Sequence, residues 1–260
     1  MSGDRDLCVF CEGEIPPGAP PEHVIAKWFT KFRPKGAVFR HTERPEIRGN
    51  VEHPPRVPEF SSKKFDLTAN TICPVCNHGW MSDLENDVST LLTAIIEGED
   101  QGLSVDRQVL LSRWVTKTAL TWDQSKPRQR RFFPLHYCRW LHDHQLPPPG
   151  ATIRLGRYLG DSREFVQMIY DGLYREAPAN PEAPGMPQGH RAIMRIGQFV
   201  GELTITEEGK PVLRETGDIA SLLVTIWPSV EAQSWPPRVA LDDDIWRRFV
   251  GPDKLDRSAA

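Results

Sequence analysis

The sequence predicts an α+β protein with a cysteine-rich N-terminal module, helices in the middle and a mostly antiparallel β-sheet region at the C-terminal end. Four of the five cysteines lie in two Cys-x2-Cys pairs before residue 80. Apolar residues at three- and four-residue steps follow the second pair, as in helices, whereas β-branched and aromatic residues dominate after residue 150. We therefore expect one unit at 1–100 and a second at 101–260.

Local patterns place each element. The first helix follows Cys76, with Trp80 as the first residue of its apolar face, and Gly98 is positioned to end it. A second helix is expected from about Asp106 to Asp123, and a weaker third one from Arg131 to Leu146. The predicted strands are Ile153–Leu159, Phe165–Tyr174, Ala192–Ile205 and Leu222–Trp227. A Pro- and Gly-rich loop is expected at Ala177–Gly189, and a closing helix at Asp242–Val250.

The composition is that of a globular protein. The chain has 260 residues, of which 39% are hydrophobic and 26% charged, and its net charge is -3. This charge argues against a protein covered in positive charge, but it leaves room for a local basic groove. No apolar run is long enough for a membrane span, and the first residues lack the pattern of a signal peptide, so we expect a cytoplasmic protein without membrane contacts.

The cysteine spacing predicts a metal site. Cys8, Cys11, Cys73 and Cys76 supply four thiolates, the ligand set of a closed tetrahedral zinc site. The alternative is four free buried thiols. The 61 residues between Cys11 and Cys73 exceed the usual separation in compact zinc ribbons.

Three further residues draw attention by their position relative to these cysteines. Glu22 and His23 follow Cys11, and Asn77 follows Cys76 directly. Taken singly, His23 reads as a structural histidine in an apolar setting, and Asn77 as a helix N-cap.

In this order, the residues resemble the HNH family of metal-dependent nucleases, also called ββα-metal or His-Me finger. The layout is similar to the recombination endonuclease VII type, with Cys-x2-Cys, an acidic residue and His, then Cys-x2-Cys-Asn at the start of a helix. The stretch from Cys76 to Met81 also resembles bacterial HNH-like proteins with a Cys-Asn-Asn-Gly-Trp-Met motif. The resemblance covers residues 8 to about 97 and implies a zinc-stabilised, treble-clef-like ββα-metal module.

The resemblance implies a role for each residue. His23 would be the general base, and Glu22 and Asn77 would bind a catalytic Mg²⁺ or Mn²⁺. His78 would replace or assist Asn77, or else face solvent. These roles agree with the chemistry, since neutral histidine accepts a proton near pH 7 and hard cations prefer oxygen ligands. The sequence departs from the family where Glu22 stands in place of the commoner Asp and where a long insertion separates His23 from Cys73.

Two basic clusters suit phosphate contacts. The first includes Lys27, Lys31, Arg33 and Lys35, and the second Arg128, Arg130 and Arg131, interleaved with Phe132, Phe133 and Tyr137. A charge run by itself is more typical of a solvated loop, and the second cluster is left evenly balanced between the two interpretations.

The sequence therefore predicts a metal-dependent HNH-type endonuclease that hydrolyses nucleic acid, with DNA the expected substrate. The resemblance to this nuclease family suggests restriction or anti-phage defence as the biological role. The alternatives are a non-catalytic zinc-finger module that binds nucleic acid or a protein, and an enzyme of this fold acting on another substrate. A homodimer is left open, as is any role of the C-terminal region. Cys138 is expected to be a lone thiol, and His142 and His144 polar surface residues.

Overall fold

The structure is a computed structural model and confirms a mixed α+β protein with helices and antiparallel sheets. It describes residues 6–32, 38–40, 47–48, 51–52, 61–62, 67–128, 131–161, 164–173, 189–206 and 222–250. The predicted loop at 177–189 lies outside these residues, apart from Gly189.

The described strands form one large sheet and three small pairs. The large sheet has seven strands in the order β12-β8-β11-β10-β9-β2-β5, and β2 beside β9 is its one parallel pair within the described ranges. The strands are β1 (Glu22–His23), β2 (Val38–Arg40), β3 (Ile47–Arg48), β4 (Val51–Glu52), β5 (Ser61–Ser62), β6 (Thr68–Ala69), β7 (Gln101–Leu103), β8 (Ala151–Arg157), β9 (Glu164–Leu173), β10 (Gly189–Ile196), β11 (Phe199–Thr206), β12 (Val224–Trp227) and β13 (Gln233–Trp235). The small pairs are β1 with β6, β3 with β4, and β7 with β13.

The helices match the sequence in position but differ in their bounds. They are a 3-10 helix (Lys27–Phe32), α1 (Pro74–Cys76), a π-helical segment (Asn77–Met81), α2 (Ser82–Glu97), α3 (Val105–Gln124), α4 (Leu135–His144) and α5 (Asp243–Val250). The predicted stop at Gly98 is confirmed, since this glycine has a φ of 79° and caps α2 in the left-handed conformation.

Two sequence expectations about single elements are wrong. The span Ala192–Ile205 is two antiparallel strands, because residues 197–198 form a tight turn in which Gly197 has a positive φ of 56°. The third helix starts at Leu135 and not at Arg131, because Pro134 immediately before it cannot continue a hydrogen-bonded turn.

Helix α3 lies between the large sheet and the N-terminal cysteine module. Its Trp114 is fully buried, stacks on Phe29 at 5.8 Å between ring centroids and meets Phe199 of β11 edge-on at 5.9 Å. Buried residues from both sides of residue 100 form one continuous hydrophobic cluster. The two predicted units therefore share a core around α3.

Helix α5 covers a second, smaller cluster on the large sheet. Trp246 and Phe249 of α5 are buried there, and Trp246 contacts Tyr158 at 5.8 Å between ring centroids. The guanidinium of Arg195 lies over both Tyr158 (4.1 Å) and Trp246 (5.3 Å), so cation–π contacts help attach the helix. None of the helices among the described residues is both long and apolar enough to cross a membrane.

Candidate metal centre and the adjoining Glu22–His23 strand

The two Cys-x2-Cys pairs meet in space. The ligand atoms of Cys8, Cys11, Cys73 and Cys76 all lie within 4.8 Å of one another. Sγ of Cys8 is 3.8 Å from Sγ of Cys76, and Sγ of Cys11 is 3.5 Å from Sγ of Cys73. A tetrahedron with metal–sulfur bonds of about 2.3 Å has edges of about 3.8 Å, so the four sulfurs fit a closed tetrahedral site. This cluster could hold a metal ion such as zinc.

Local backbone geometry presents each pair of sulfurs. In the first pair, Glu12 has a positive φ of 58°, and the N–H of Gly13 donates to Sγ of Cys11 at 3.4 Å. A Cβ added at Gly13 would lie 3.2 Å from that sulfur, so a larger residue here would crowd Cys11. In the second pair, Cys73 caps α1, and the N–H of Cys76 donates to Sγ of Cys73 at 3.5 Å. The N-cap is therefore Cys73, and the interpretation of Asn77 as N-cap is wrong because the helix begins before it.

The thiols differ in acidity because they share protons. The hydrogen bond between Cys8 and Cys76 lowers the pKa of Cys8 to about 4 and, together with burial, raises the pKa of Cys76. Burial raises the pKa of Cys11 as well. Binding of a cation by all four sulfurs requires the thiols to be deprotonated, so it releases protons and should strengthen as the pH rises.

The fifth cysteine is separate from the cluster, as the sequence suggested. Cys138 lies fully buried on α4, and burial raises its pKa, so this thiol is protonated and poorly reactive. The cysteines thus divide into four possible ligands and one packing residue.

Glu22 and His23 lie on β1, which pairs antiparallel with β6. Adjacent strand residues point to opposite faces. Glu22 is accordingly buried with 7% exposure, whereas His23 is partly exposed. The strand therefore sends the carboxylate into the protein and leaves the imidazole accessible.

The carboxylate of Glu22 joins a buried charged cluster that the sequence did not predict. Nζ of Lys117, a residue of α3 with no exposed surface, lies 3.0 Å from Oε1 of Glu22 and 3.0 Å from Oε1 of Glu85. Trp114 also donates its indole N–H to Oε1 of Glu85 at 3.0 Å. The second oxygen of Glu85, Oε2, is buried without a hydrogen-bond partner.

Lys117 keeps its charge in this position. Burial by itself would lower the pKa of Lys117, but the two carboxylates of Glu85 and Glu22 outweigh burial and raise the pKa. One sequence signal could have identified the cluster. Lys117 lies three residues after Trp114 and three before Leu120, inside the apolar stripe of the helix, where a lysine is rarely found unless it is paired.

Asn77 and His78 lie beyond the last cysteine, in the π-helical segment. The backbone N–H of Asn77 donates to the carbonyl of Cys73 at 3.0 Å; its side chain is partly exposed, and His78 is exposed. Within the described ranges, no hydrogen bond or ion pair joins Asn77 or His78 to Glu22 or His23. Gly79 interrupts the helical backbone (φ −93°, ψ −119°), which separates these residues from the regular part of α2.

The predicted nucleic-acid-binding residues divide into accessible and internal ones. Lys27, Lys31 and Arg128 are exposed, and Nζ of Lys31 lies 4.7 Å from the centre of the Phe32 ring. Arg131 is half-buried, and burial lowers its pKa. Arg33, Lys35 and Arg130 lie outside the residues that the structure describes.

The aromatic residues near Arg131 pack largely against one another. Phe132 and Phe133 meet His190 at 5.0 and 5.7 Å between ring centroids, and Phe133 is buried. Their backbone N–H groups donate to the buried carboxylate of Asp123. This packing holds the segment in place and buries the Phe133 ring, whereas the Phe132 ring stays partly exposed.

The fold and the site define a mixed α+β protein with a four-cysteine cluster that could bind a metal. Comparisons with protein-family models, with curated proteins and with solved structures find no match. The family resemblance therefore remains a matter of the motif residues.

Proposed function

We propose that this protein is a metal-dependent endonuclease of HNH type, built around a structural zinc ion. The four-sulfur cluster carries the proposal. It joins the N-terminal turn to the start of the helix that follows β6, and β6 pairs with the strand bearing Glu22 and His23. A 3-10 helix and β2 to β5 lie between β1 and β6 in the chain, but the antiparallel pair of β1 with β6, followed by a helix, is the core arrangement of a ββα-metal module and supports the resemblance.

Zinc is the metal that fits the cysteine cluster best. Four thiolates at tetrahedral spacing with no open position are typical of structural zinc sites, which stabilise a fold and do not take part in the reaction. Three of the four residues are buried.

His23 has the access that a general base needs. It is partly exposed, on the strand face opposite the buried Glu22, and Lys27 and Lys31 lie exposed on the 3-10 helix that follows. A neutral imidazole can accept a proton from water while the ammonium groups contact phosphate. Nucleic acid, with DNA expected, is thus the proposed substrate.

The cation site rests on fewer residues. Glu22 and Asn77 offer oxygen atoms, and Mg²⁺ commonly keeps several waters beside one or two protein ligands. Such an ion would neutralise charge on the phosphate and leaving group. Oε1 of Glu22 is already bound to Lys117, so this carboxylate must be shared.

The alternative is a zinc module that binds nucleic acid or a protein without catalysis. The ion pair of Glu22 with a fully buried Lys117 favours it, because a structural role alone accounts for the conformation of Glu22.

A cleavage assay separates the two functions. The zinc-loaded protein is incubated with plasmid, linear and single-stranded DNA and with RNA, in Mg²⁺ or Mn²⁺. We expect metal-dependent cleavage that falls by about 10²–10⁴-fold in His23→Ala, because water loses its base. His136→Ala, at an exposed histidine of α4, is the matched control and should cleave normally. Cleavage of no substrate by the folded protein would contradict the nuclease, as would an unchanged rate in His23→Ala.

A further inference from the structure

The cluster of Glu22, Lys117 and Glu85 joins three separate elements. Glu22 comes from β1, Lys117 from α3 and Glu85 from α2. Both ion pairs are 3.0 Å long, and the side chain of Lys117 has no exposed surface, while those of Glu22 and Glu85 are 10% and 11% exposed. The three side chains therefore form one buried unit with two negative charges and one positive charge.

The ammonium of Lys117 occupies the position of a cation toward Glu22. It takes up Oε1 of the carboxylate, and its positive charge repels any second cation that approaches the same group. Glu85 weakens this effect, because it shares the same ammonium at the same distance. The affinity of Glu22 for a divalent cation should therefore depend on both partners, in opposite directions.

We propose that Lys117 is a positioning residue that competes with the divalent cation for Glu22, and that Glu85 sets the strength of this competition. The inference rests on the proposed function, which makes Glu22 a ligand of that cation. A cation binds Glu22 by sharing the carboxylate with Lys117, so the site binds its metal more weakly than an unpaired carboxylate would.

The sign of two substitutions distinguishes this role from a merely structural one. In Lys117→Met with Glu85→Gln, the competing ammonium is gone and no second buried carboxylate is left unpaired. Glu85→Gln by itself keeps the shape of the side chain and an oxygen that accepts from the indole of Trp114. It removes the negative charge of Glu85, so Glu22 becomes the one charged partner of Lys117 within this cluster. Competition predicts tighter cation binding in the first protein and weaker binding in the second, whereas a structural role predicts weaker binding in both.

The experiment measures Mn²⁺ binding by electron paramagnetic resonance on the full-length, zinc-loaded chain without nucleic acid. We expect the dissociation constant of Lys117→Met/Glu85→Gln to fall by about tenfold or more, and that of Glu85→Gln to rise severalfold. Lys117→Arg keeps the charge and should resemble the wild type. Adding Glu22→Gln to the double variant should abolish the gain. If the double variant does not fold, Lys117→Gln/Glu85→Gln takes its place, because it removes the same two charges with polar side chains, and competition again predicts tighter binding.

Unchanged or weaker binding in the double variant, or unchanged or tighter binding in Glu85→Gln, overturns the inference. Failure of the proposed function gives a different set of results. If Mn²⁺ affinity changes as expected but no nucleic acid is cleaved, the nuclease falls and the competition stands. If Mn²⁺ binding does not depend on Glu22 in any variant, the competition is refuted, and the cleavage assay with His23→Ala alone decides on the nuclease.

Discussion

Glu202 shows how single buried charges are stabilised in this protein. It lies on β11 with 1% exposure, accepts a hydrogen bond from Nε of Arg191 at 2.7 Å and another from Nε of Arg154. Arg154 is its direct cross-strand partner on β8, and Arg191 comes from β10 on the other side. Burial raises the pKa of Glu202, but the hydrogen bond from Arg154 and the charge of Arg191 outweigh burial and hold the pKa below its usual value of 4.5.

This lowered pKa predicts how stability changes in acid. A carboxyl group with a lowered folded pKa contributes stability above its unfolded pKa and loses that contribution as the pH falls through the folded pKa. We expect Glu202→Gln to cost about 3–5 kcal/mol at pH 7, because two arginines lose their buried partner. The cost should shrink as the pH falls below 4.5, because Glu202 becomes protonated in the wild type as well.

Urea unfolding of both proteins at several pH values between 7 and 3 measures this difference. Effects of acid on the rest of the chain are common to the two proteins, so the comparison at each pH isolates Glu202. Exposed Glu99→Gln is the matched control and should be neutral throughout. A difference that does not depend on pH would contradict the role of the ion pair.

At the scale of elements, the cysteine cluster joins two parts of the chain that lie far apart in sequence. The first turn presents Cys8 and Cys11, and the start of α1 presents Cys73 and Cys76. The backbone N–H of Val9 also donates to the carbonyl of Thr71 at 3.0 Å, so the two turns are attached by backbone as well. Metal at this point would hold the N-terminal turn against the helix that follows β6.

We expect the purified chain to carry about one zinc ion, and Cys73→Ala to lose it, because three thiolates cannot close a tetrahedral site. Since metal binding contributes directly to folding, the variant should also unfold at a lower temperature. Elemental analysis and thermal denaturation measure both effects.

Cys138→Ala is the matched control for Cys73→Ala, since it also removes a buried sulfur but lies outside the cluster. It should keep its zinc and lose only packing energy. Equal zinc content in the wild type and Cys73→Ala would refute the assignment.

At the scale of the whole molecule, α3 connects the cysteine module to the large sheet. Trp114 contacts Phe29 on one side and Phe199 on the other, and Lys117 holds Glu22 of β1. Removal of α3 would leave the carboxylates of Glu22 and Glu85 without the ammonium group of Lys117. It would also expose the aromatic side chain of Phe29. The N-terminal unit therefore depends on residues beyond 100.

A fragment of residues 1–100, supplied with zinc, should accordingly lack a cooperative thermal transition. The physical reason is that the buried carboxylates and the apolar surface around Phe29 lose their partners. Circular dichroism during heating compares the fragment with the full chain. A fragment that melts cooperatively with native-like helix content would show that the module folds independently.

The bounds of several elements could be predicted because they depend on nearby residues. The helix over Val105–Gln124 follows from apolar spacing, and the end of α2 follows from Gly98. Two residues in the sequence could have prevented the two wrong predictions. Pro134 lies immediately before the first residue of α4, and Gly197 lies in the turn that divides the predicted strand into a hairpin. The four-cysteine cluster was predictable too, because two identical Cys-x2-Cys spacings are typical of sulfurs that can bind one ion.

The sequence by itself therefore determined the α+β class, the order of the main helices and the position of the sheet region after residue 150, and the four cysteines that could hold a metal. Only the tertiary structure decided what surrounds Glu22, because Lys117 lies 95 residues from Glu22 and 32 from Glu85 along the chain. Local patterns specify hydrogen bonding and apolar faces, but they carry no information on which distant charges will share one buried site. That pairing depends on how β1, α2 and α3 pack together, and it places a buried lysine beside the carboxylate that the sequence assigned to a cation.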